Sequence, residues 1–183
     1  MSKAMVFWFT GLSGSGKTTI AERAAKILSR GDKRVKLLDG DVIRKKVTSH
    51  LSFTPKDIKE NNKIIANLCL DNIANYDYVL IPVISPFYEA RMLAKKIIGD
   101  NFYLVYVRAS LDEIIKRDPK GLYKRALSGE IKNFIGIDKD TPYQPPRNAD
   151  LVLDTEKEGP DESVGRLVHF IMKKNCFQET HSE

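Results

Sequence analysis

The stretch Val6-Phe7-Trp8-Phe9-Thr10-Gly11-Leu12-Ser13-Gly14-Ser15-Gly16-Lys17-Thr18-Thr19 decides how the chain is read. Val6 to Thr10 is a short apolar run closed by Gly11, the pattern of a buried strand. From Thr18 to Arg30 the residues Ile20, Ala24, Ile27 and Leu28 recur at helical spacing, and Gly31 follows them, so a helix is expected there. Between the two, Gly11 to Thr18 fits G-x-x-x-x-G-K-[ST]. The glycines let the backbone curl so that successive N–H groups point inward, and the helix N-terminus adds its partial positive charge. Such a nest takes the phosphates of a nucleoside triphosphate. The lysine reaches the β- and γ-phosphates and the hydroxyl of the next residue binds Mg²⁺. Gly11, Leu12, Ser13, Gly14, Ser15, Gly16, Lys17, Thr18 and Thr19 are therefore the candidate residues for binding a nucleoside triphosphate and Mg²⁺.

Working outward, strand and helix patterns alternate. Val35–Leu38, Val79–Val83, Phe102–Val107 and Leu151–Leu153 read as strands. Thr54 reads as an N-cap with Pro55 at the first helical position and Asp57 closing a Thr-x-x-Asp box; that helix is expected to reach about Asn75. Pro86–Ile98, Leu111–Lys116, Leu122–Ser128 and Glu162–Lys174 read as further helices. The alternation predicts an α/β fold of three layers, a parallel sheet of about five strands with helices on both faces. Strand order is not legible. Two irregular stretches, Arg117–Gly121 and Lys139–Arg147, read as binding loops or a lid.

Residues 1–183 read as one domain, because domains mostly run ~100–200 residues. No apolar run approaches the ~18–20 residues of a membrane span, and the apolar stretch at Met5–Phe9 is too short for a signal-peptide core, so a cytoplasmic protein is expected. Cys69 and Cys176 form no disulfide framework and no metal quartet. The net charge of +6 is uneven: residues 1–153 carry 26 basic against 17 acidic side chains, and residues 154–183 carry 4 against 7. A basic body suits anionic ligands, either nucleic acid or phosphorylated small molecules. No aromatic-basic platform supports nucleic acid, and nothing suggests a membrane partner.

The phosphate loop alone leaves kinase, GTPase and motor open. An Asn-Lys-x-Asp guanine motif is absent, and the second strand ends in Asp39-Gly40-Asp41 rather than in a longer apolar Walker-B strand. Carboxylates beyond the C-terminal end of a parallel strand face the phosphate crevice. Asp39 and Asp41 are therefore candidate metal-orienting groups, and Asp41 a candidate to orient an acceptor hydroxyl. An alternative role for Asp41 is a helix N-cap.

Over about residues 6–155 the chain resembles the adenylylsulfate (APS) kinases. The resemblance rests on Phe9–Thr18, on Leu38-Asp39-Gly40-Asp41 with Arg44, and on Ile84-Ser85-Pro86 with Arg91. It also rests on Arg117-Asp118-Pro119-Lys120-Gly121-Leu122-Tyr123 and on Gly129-Glu130-Ile131-Lys132-Asn133-Phe134 followed by Gly136-Ile137-Asp138. It implies an ATP-dependent kinase acting on the ribose 3′-hydroxyl of adenosine 5′-phosphosulfate, assembled as a homodimer. Lys17, Asp41 and Ser85 are then the implied catalytic residues, Ser85 matching a serine sometimes assigned as a phosphoenzyme site. Thr18, Asp39 and Asp41 are the implied metal residues, and Arg117 joins the ATP site. Asp41, Arg44, Phe53, Asn61, Ile84, Ser85, Arg91, Lys120, Lys132 and Phe134 are the implied acceptor residues, Phe53 and Phe134 sandwiching the acceptor base. Direct in-line transfer is preferred to a phosphoenzyme, since phosphoryl transfer needs mainly positioning and charge.

Four positions depart from the family pattern, all on the acceptor side. Ile58 and Lys63 stand where arginines are usual, Ser52 where glycine is usual and Ile135 where threonine is usual. An arginine offers a bidentate fork to an anion, a lysine a point charge, an isoleucine neither. A kinase of the same fold acting on another nucleotide, such as cytidine diphosphoramidate, is the alternative acceptor reading. A non-catalytic ATP-binding regulatory domain is the alternative class.

Overall fold

The computed structural model describes residues 4–180, with side chains as far as Cys176. Five strands form one parallel sheet: β1 (Met5–Thr10), β2 (Val35–Leu37), β3 (Tyr78–Pro82), β4 (Phe102–Arg108) and β5 (Leu151–Asp154). Their order is β2-β3-β1-β4-β5, so β1 lies at the centre and the chain crosses over it between β3 and β4. Seven helices are described: α1 (Lys17–Arg30), α2 (Gly40–Lys46), α3 (Pro55–Leu70), α4 (Tyr88–Ile98), α5 (Leu111–Arg117), α6 (Leu122–Leu127) and α7 (Pro160–Thr180).

The three expected layers follow from the alternation of side chains along β1. Met5, Phe7 and Phe9 point to one face, where they meet Ile20, Ala24 and Leu28 of α1 and Leu167 and Ile171 of α7. Val6 and Trp8 point to the other, against Ile65 and Cys69 of α3 and Ala94 and Ile98 of α4. Both faces being covered, every residue of β1 is buried, which is why it reads as a continuous apolar run rather than an alternating one. Burial raises the Cys69 thiol to about 12, so it acts as a small hydrophobe. No described helix is long and apolar enough to cross a membrane.

Several expected boundaries are corrected. Helix α3 stops at Leu70 rather than near Asn75, because the Asn72 side chain donates to the Leu68 carbonyl and turns the chain away. Helix α4 starts at Tyr88 rather than Pro86: Ser85 has a φ of 44° and Phe87 is the N-cap, so Ser85 does not cap it. Helix α7 runs from Pro160 to Thr180, beyond Glu162–Lys174 at both ends. Thr54 does cap α3, but Asp57 does not return the bond to the Thr54 N–H. Its carboxylate accepts from the Thr54 hydroxyl (2.9 Å) and from the N–H and hydroxyl of Ser52. A helix does start here, as the alternative role of Asp41 implies, but the cap of α2 is Asp39, not Asp41: the Asp39 carboxylate accepts from the N–H groups of Asp41 (2.8 Å) and Val42 (3.0 Å).

Candidate active site

All the loops that matter leave the C-terminal ends of the strands, the side of an open α/β sheet where ligands bind. The loop after β1 is held from several directions. Tyr123 of α6 donates its hydroxyl to the Ser13 carbonyl (3.1 Å), Thr155 donates to the Ser15 carbonyl (3.3 Å), and Leu12 is buried among Ala109, Ile114 and Tyr123. Gly14 and Gly16 have φ of 79° and 95°, in the left-handed region that favours glycine. At Gly11 a Cβ would fall 2.3 Å from the Val107 carbonyl oxygen, so the entry to the loop admits no side chain. The Leu12 side chain itself belongs to the core, so only its backbone remains available to a ligand.

Lys17 is 7% exposed and folds back into the nest. Its ammonium donates to the carbonyls of Gly11 (2.9 Å) and Leu12 (2.6 Å) and to the Ser15 hydroxyl (3.4 Å). Burial lowers it to about 7; Asp41 and Asp39 pull the other way and Lys120 adds to the fall. The Thr18 hydroxyl donates to the Asp39 carboxylate (2.9 Å). No group of three or more His, Cys, Asp or Glu side chains that could hold a metal exists among the described residues. The pair Thr18–Asp39 fits Mg²⁺ nonetheless, because that ion binds through one or two protein oxygens and takes its remaining ligands from water and phosphate.

Two cavities flank Asp41. The first, about 270 Å³, is bounded by the phosphate loop with Lys17, Thr18 and Thr19, and by Pro119 and Lys120. Lys120 closes across it by an ion pair to Asp41 (3.1 Å). The second, about 50 Å³, is bounded by Arg44, Phe53, Asn61, Asn62, Ser85 and Ile135 among others. Asp41, Val83 and Ile84 line both, so the cavities meet at the carboxylate. Two buried polar atoms in the second cavity have no partner, Ser85 Oγ (residue 1% exposed) and Asn62 Oδ1 (2%). Buried polar groups are normally satisfied, so these two point to a ligand. Asn62, absent from the sequence-based candidates, donates to the Ile58 carbonyl (2.7 Å) and thereby turns its oxygen free. Asn61 accepts from the Thr48 hydroxyl (2.6 Å).

A third cavity, of about 390 Å³, runs from Gly14–Gly16 and Thr19 to Arg117, Thr155 and Glu158 on the outer side of the phosphate loop. Arg117 is fixed there by Glu113 (2.8 Å) and the Thr155 carbonyl (2.8 Å).

The remaining candidates are placed differently. Arg91 does not reach the acceptor side. It is buried and its guanidinium donates to the carbonyls of Ser85 (2.7 Å), Pro86 (3.1 Å) and Gln144 (2.8 Å), so it positions the turn that carries Ser85. Phe53 lines the second cavity and Phe134 does not. Arg44 lies over the Phe53 ring at 4.0 Å, while Phe134 packs edge-on against Tyr123 at 4.9 Å. Lys132 is exposed and borders neither cavity. Arg44 also donates to the carbonyls of Leu51 and Ser52; burial lowers its guanidinium, against the pull of Asp57 and Asp41. The divergent pair Ile58 and Ile135 is buried with Phe87 and Ala90 in a separate apolar cluster that walls the second cavity.

A parallel sheet that delivers a glycine loop, a lysine and a hydroxyl to one cavity, with a second polar cavity meeting it at a carboxylate, defines the P-loop small-molecule kinases. A gluconokinase from Sinorhizobium meliloti, 15% identical with a TM-score of 0.67, shares this fold. The chain belongs to the adenylylsulphate kinase family, whose profile matches residues 3–154. It is 43% identical over 174 residues to a probable adenylyl-sulfate kinase of Aeropyrum pernix, covering 93% of this chain and 94% of the relative. It is also 43% identical to the adenylyl-sulfate kinase of Halothermothrix orenii, covering 94% and 91% of the two chains. The solved APS kinase of Mycobacterium tuberculosis, in complex with AMPPNP and APS, superposes with a TM-score of 0.86 at 34% identity, covering 94% of this chain and 99% of that one.

Proposed function

We propose that residues 1–183 are one kinase domain that transfers the γ-phosphoryl group of ATP to the ribose 3′-hydroxyl of adenosine 5′-phosphosulfate. The observation that carries this reading is the meeting of the phosphate-loop cavity and the second cavity at Asp41. ATP lies along the phosphate loop, its nucleoside end toward Arg117 and Thr155 and its γ-phosphate toward Asp41. The acceptor enters beside Arg44, Phe53, Asn61, Asn62 and Ser85. Asp41 accepts a hydrogen bond from the attacking hydroxyl, and Lys17 with Lys120 balances charge on the transferring group. Ser85 borders the acceptor cavity and not the phosphate cavity, which favours direct in-line transfer over a phosphoserine. Thr18 and Asp39 would hold Mg²⁺, which neutralises charge on the β- and γ-phosphates when bound. The family resemblance extends this to a cytoplasmic homodimer, with light scattering as the check on assembly.

An ATP-consumption assay with APS tests the reading. Saturable consumption that depends on APS is expected, and its absence sinks the assignment. The apolar wall of Ile58 and Ile135 favours a second reading, an acceptor with a less charged tail, so a cytidine diphosphate derivative belongs in the same assay.

Lys17 adds a pH dependence. In the free protein its ammonium is lowered to about 7, and a bound polyphosphate restores its ordinary range. ATP binding at pH 8 is therefore expected to take up protons, and affinity to fall as pH rises above 7. Calorimetry in buffers of different ionisation heat reads the uptake, and zero uptake at pH 8 contradicts it. The ligand-free protein responds oppositely. Between about 7 and 10.5 the unfolded chain holds this proton and the folded chain does not, so the contribution of Lys17 to stability rises with pH.

A further inference from the structure

A groove of about 890 Å³ between α4 and the segment 143–148 shares no lining residue with the three cavities described above. Its charge is one-sided. Arg91, Lys95 and Arg147 line it and no carboxylate does. Lys95 and Arg147 are exposed and make no ion pair among the described residues. The position of Lys95 in the last turn of α4 suits the helix dipole, but that leaves Arg147 unexplained. Arg91 is 1% exposed, and although both its terminal nitrogens bind carbonyls, its Nε has no partner. Its buried charge adds to the positive potential of the groove wall without itself reaching a ligand.

Gln144 and Asn148 add neutral polar groups, and the rest of the lining is apolar, with the rings of Tyr88, Tyr143, Pro145 and Pro146 among it. The groove thus offers ring-stacking surface beside two exposed cations, at a volume typical of small-molecule sites. We infer that it is a second, peripheral binding site for a nucleoside phosphate, the base on the tyrosine and proline surface and the phosphates on Lys95 and Arg147. Its walls are tied to the acceptor side. The Gln144 N–H donates to the Pro86 carbonyl (2.9 Å), and Gln144 Oε1 accepts from the Tyr88 N–H (2.7 Å). Tyr143 shares a hydrogen bond with Thr10 (3.0 Å), whose hydroxyl binds the Ile84 and Ser85 carbonyls. A ligand in the groove rests on the frame that holds Ser85 in its left-handed turn.

Equilibrium dialysis of ADP against the full chain tests the inference. The wild type is expected to show a class of sites that survives Lys17→Ala and weakens about tenfold or more in Lys95→Ala/Arg147→Ala, since the variant removes both exposed charges that would face the phosphates. Both substituted residues are exposed, so the double variant keeps its fold, checked by its melting temperature. Charge reversal, Arg147→Glu, should abolish the class. ADP binding identical in wild type and double variant overturns the proposal. So does a change of oligomeric state in the double variant without a change in ADP binding, which would assign the groove to a second copy of the chain.

Discussion

Lys17→Ala lowers turnover by about 10²–10³-fold, the usual cost of losing one charge-stabilising donor in a preorganised site. The melting temperature should barely move, and the physical reason lies in the free protein. There the ammonium is buried, lowered to about 7, and bound only to the carbonyls and hydroxyl of its own loop. Truncation removes a desolvated charge together with the bonds it makes, and water in the adjoining cavity can take over those carbonyls. Activity and stability therefore separate. A steady-state assay paired with a thermal melt measures both. Near-normal turnover contradicts the assignment of Lys17, and a melt lowered by tens of degrees shows that the side chain supports the loop instead.

Asp41→Asn is the second large effect. General-base or orienting groups typically contribute 10²–10⁴-fold, so kcat should fall by about 10²-fold or more while the KM for ATP changes little. The substitution keeps the size of the side chain and leaves the cap of α2 intact, because Asp39 makes that cap. It does weaken the ion pair to Lys120, but both partners are more than half exposed (59% and 65%), and such pairs contribute ~0–1 kcal/mol. An equal loss in kcat and ATP affinity would assign Asp41 to holding the lid rather than to the acceptor hydroxyl.

The glycine loop, its flanking strand and helix, and the three layers were legible because each rests on local pattern: φ above zero at glycine, helical spacing, apolar runs. Strand order was not, since it depends on pairings such as β1 with β3 that join residues more than seventy positions apart. The extent of helix α2 is not legible beyond a possible cap, because it is seven residues long and buries only Gly40 and Ile43, too few to show a period. Arg91 misled for a different reason. Its acceptors are backbone carbonyls, one of them at Gln144, and carbonyls carry no sequence signal. Asn62 was passed over beside Asn61, although two adjacent amides inside a helix are a sign that at least one faces something polar. Phe53 and Phe134 show the limit of transferring a pair of roles by motif: each residue is in place, but each ring is engaged with a different neighbour.

The bridge from Lys120 to Asp41 also makes this part of the site sensitive to salt. A solvent-exposed ion pair of ~0–1 kcal/mol is close to thermal energy, so this contact alone does not hold the segment 118–121 against the phosphate loop. Salt weakens exposed pairs, so raising ionic strength favours the released form of the contact. A phosphate in the adjoining cavity would offer the same ammonium a second anionic partner beside Asp41.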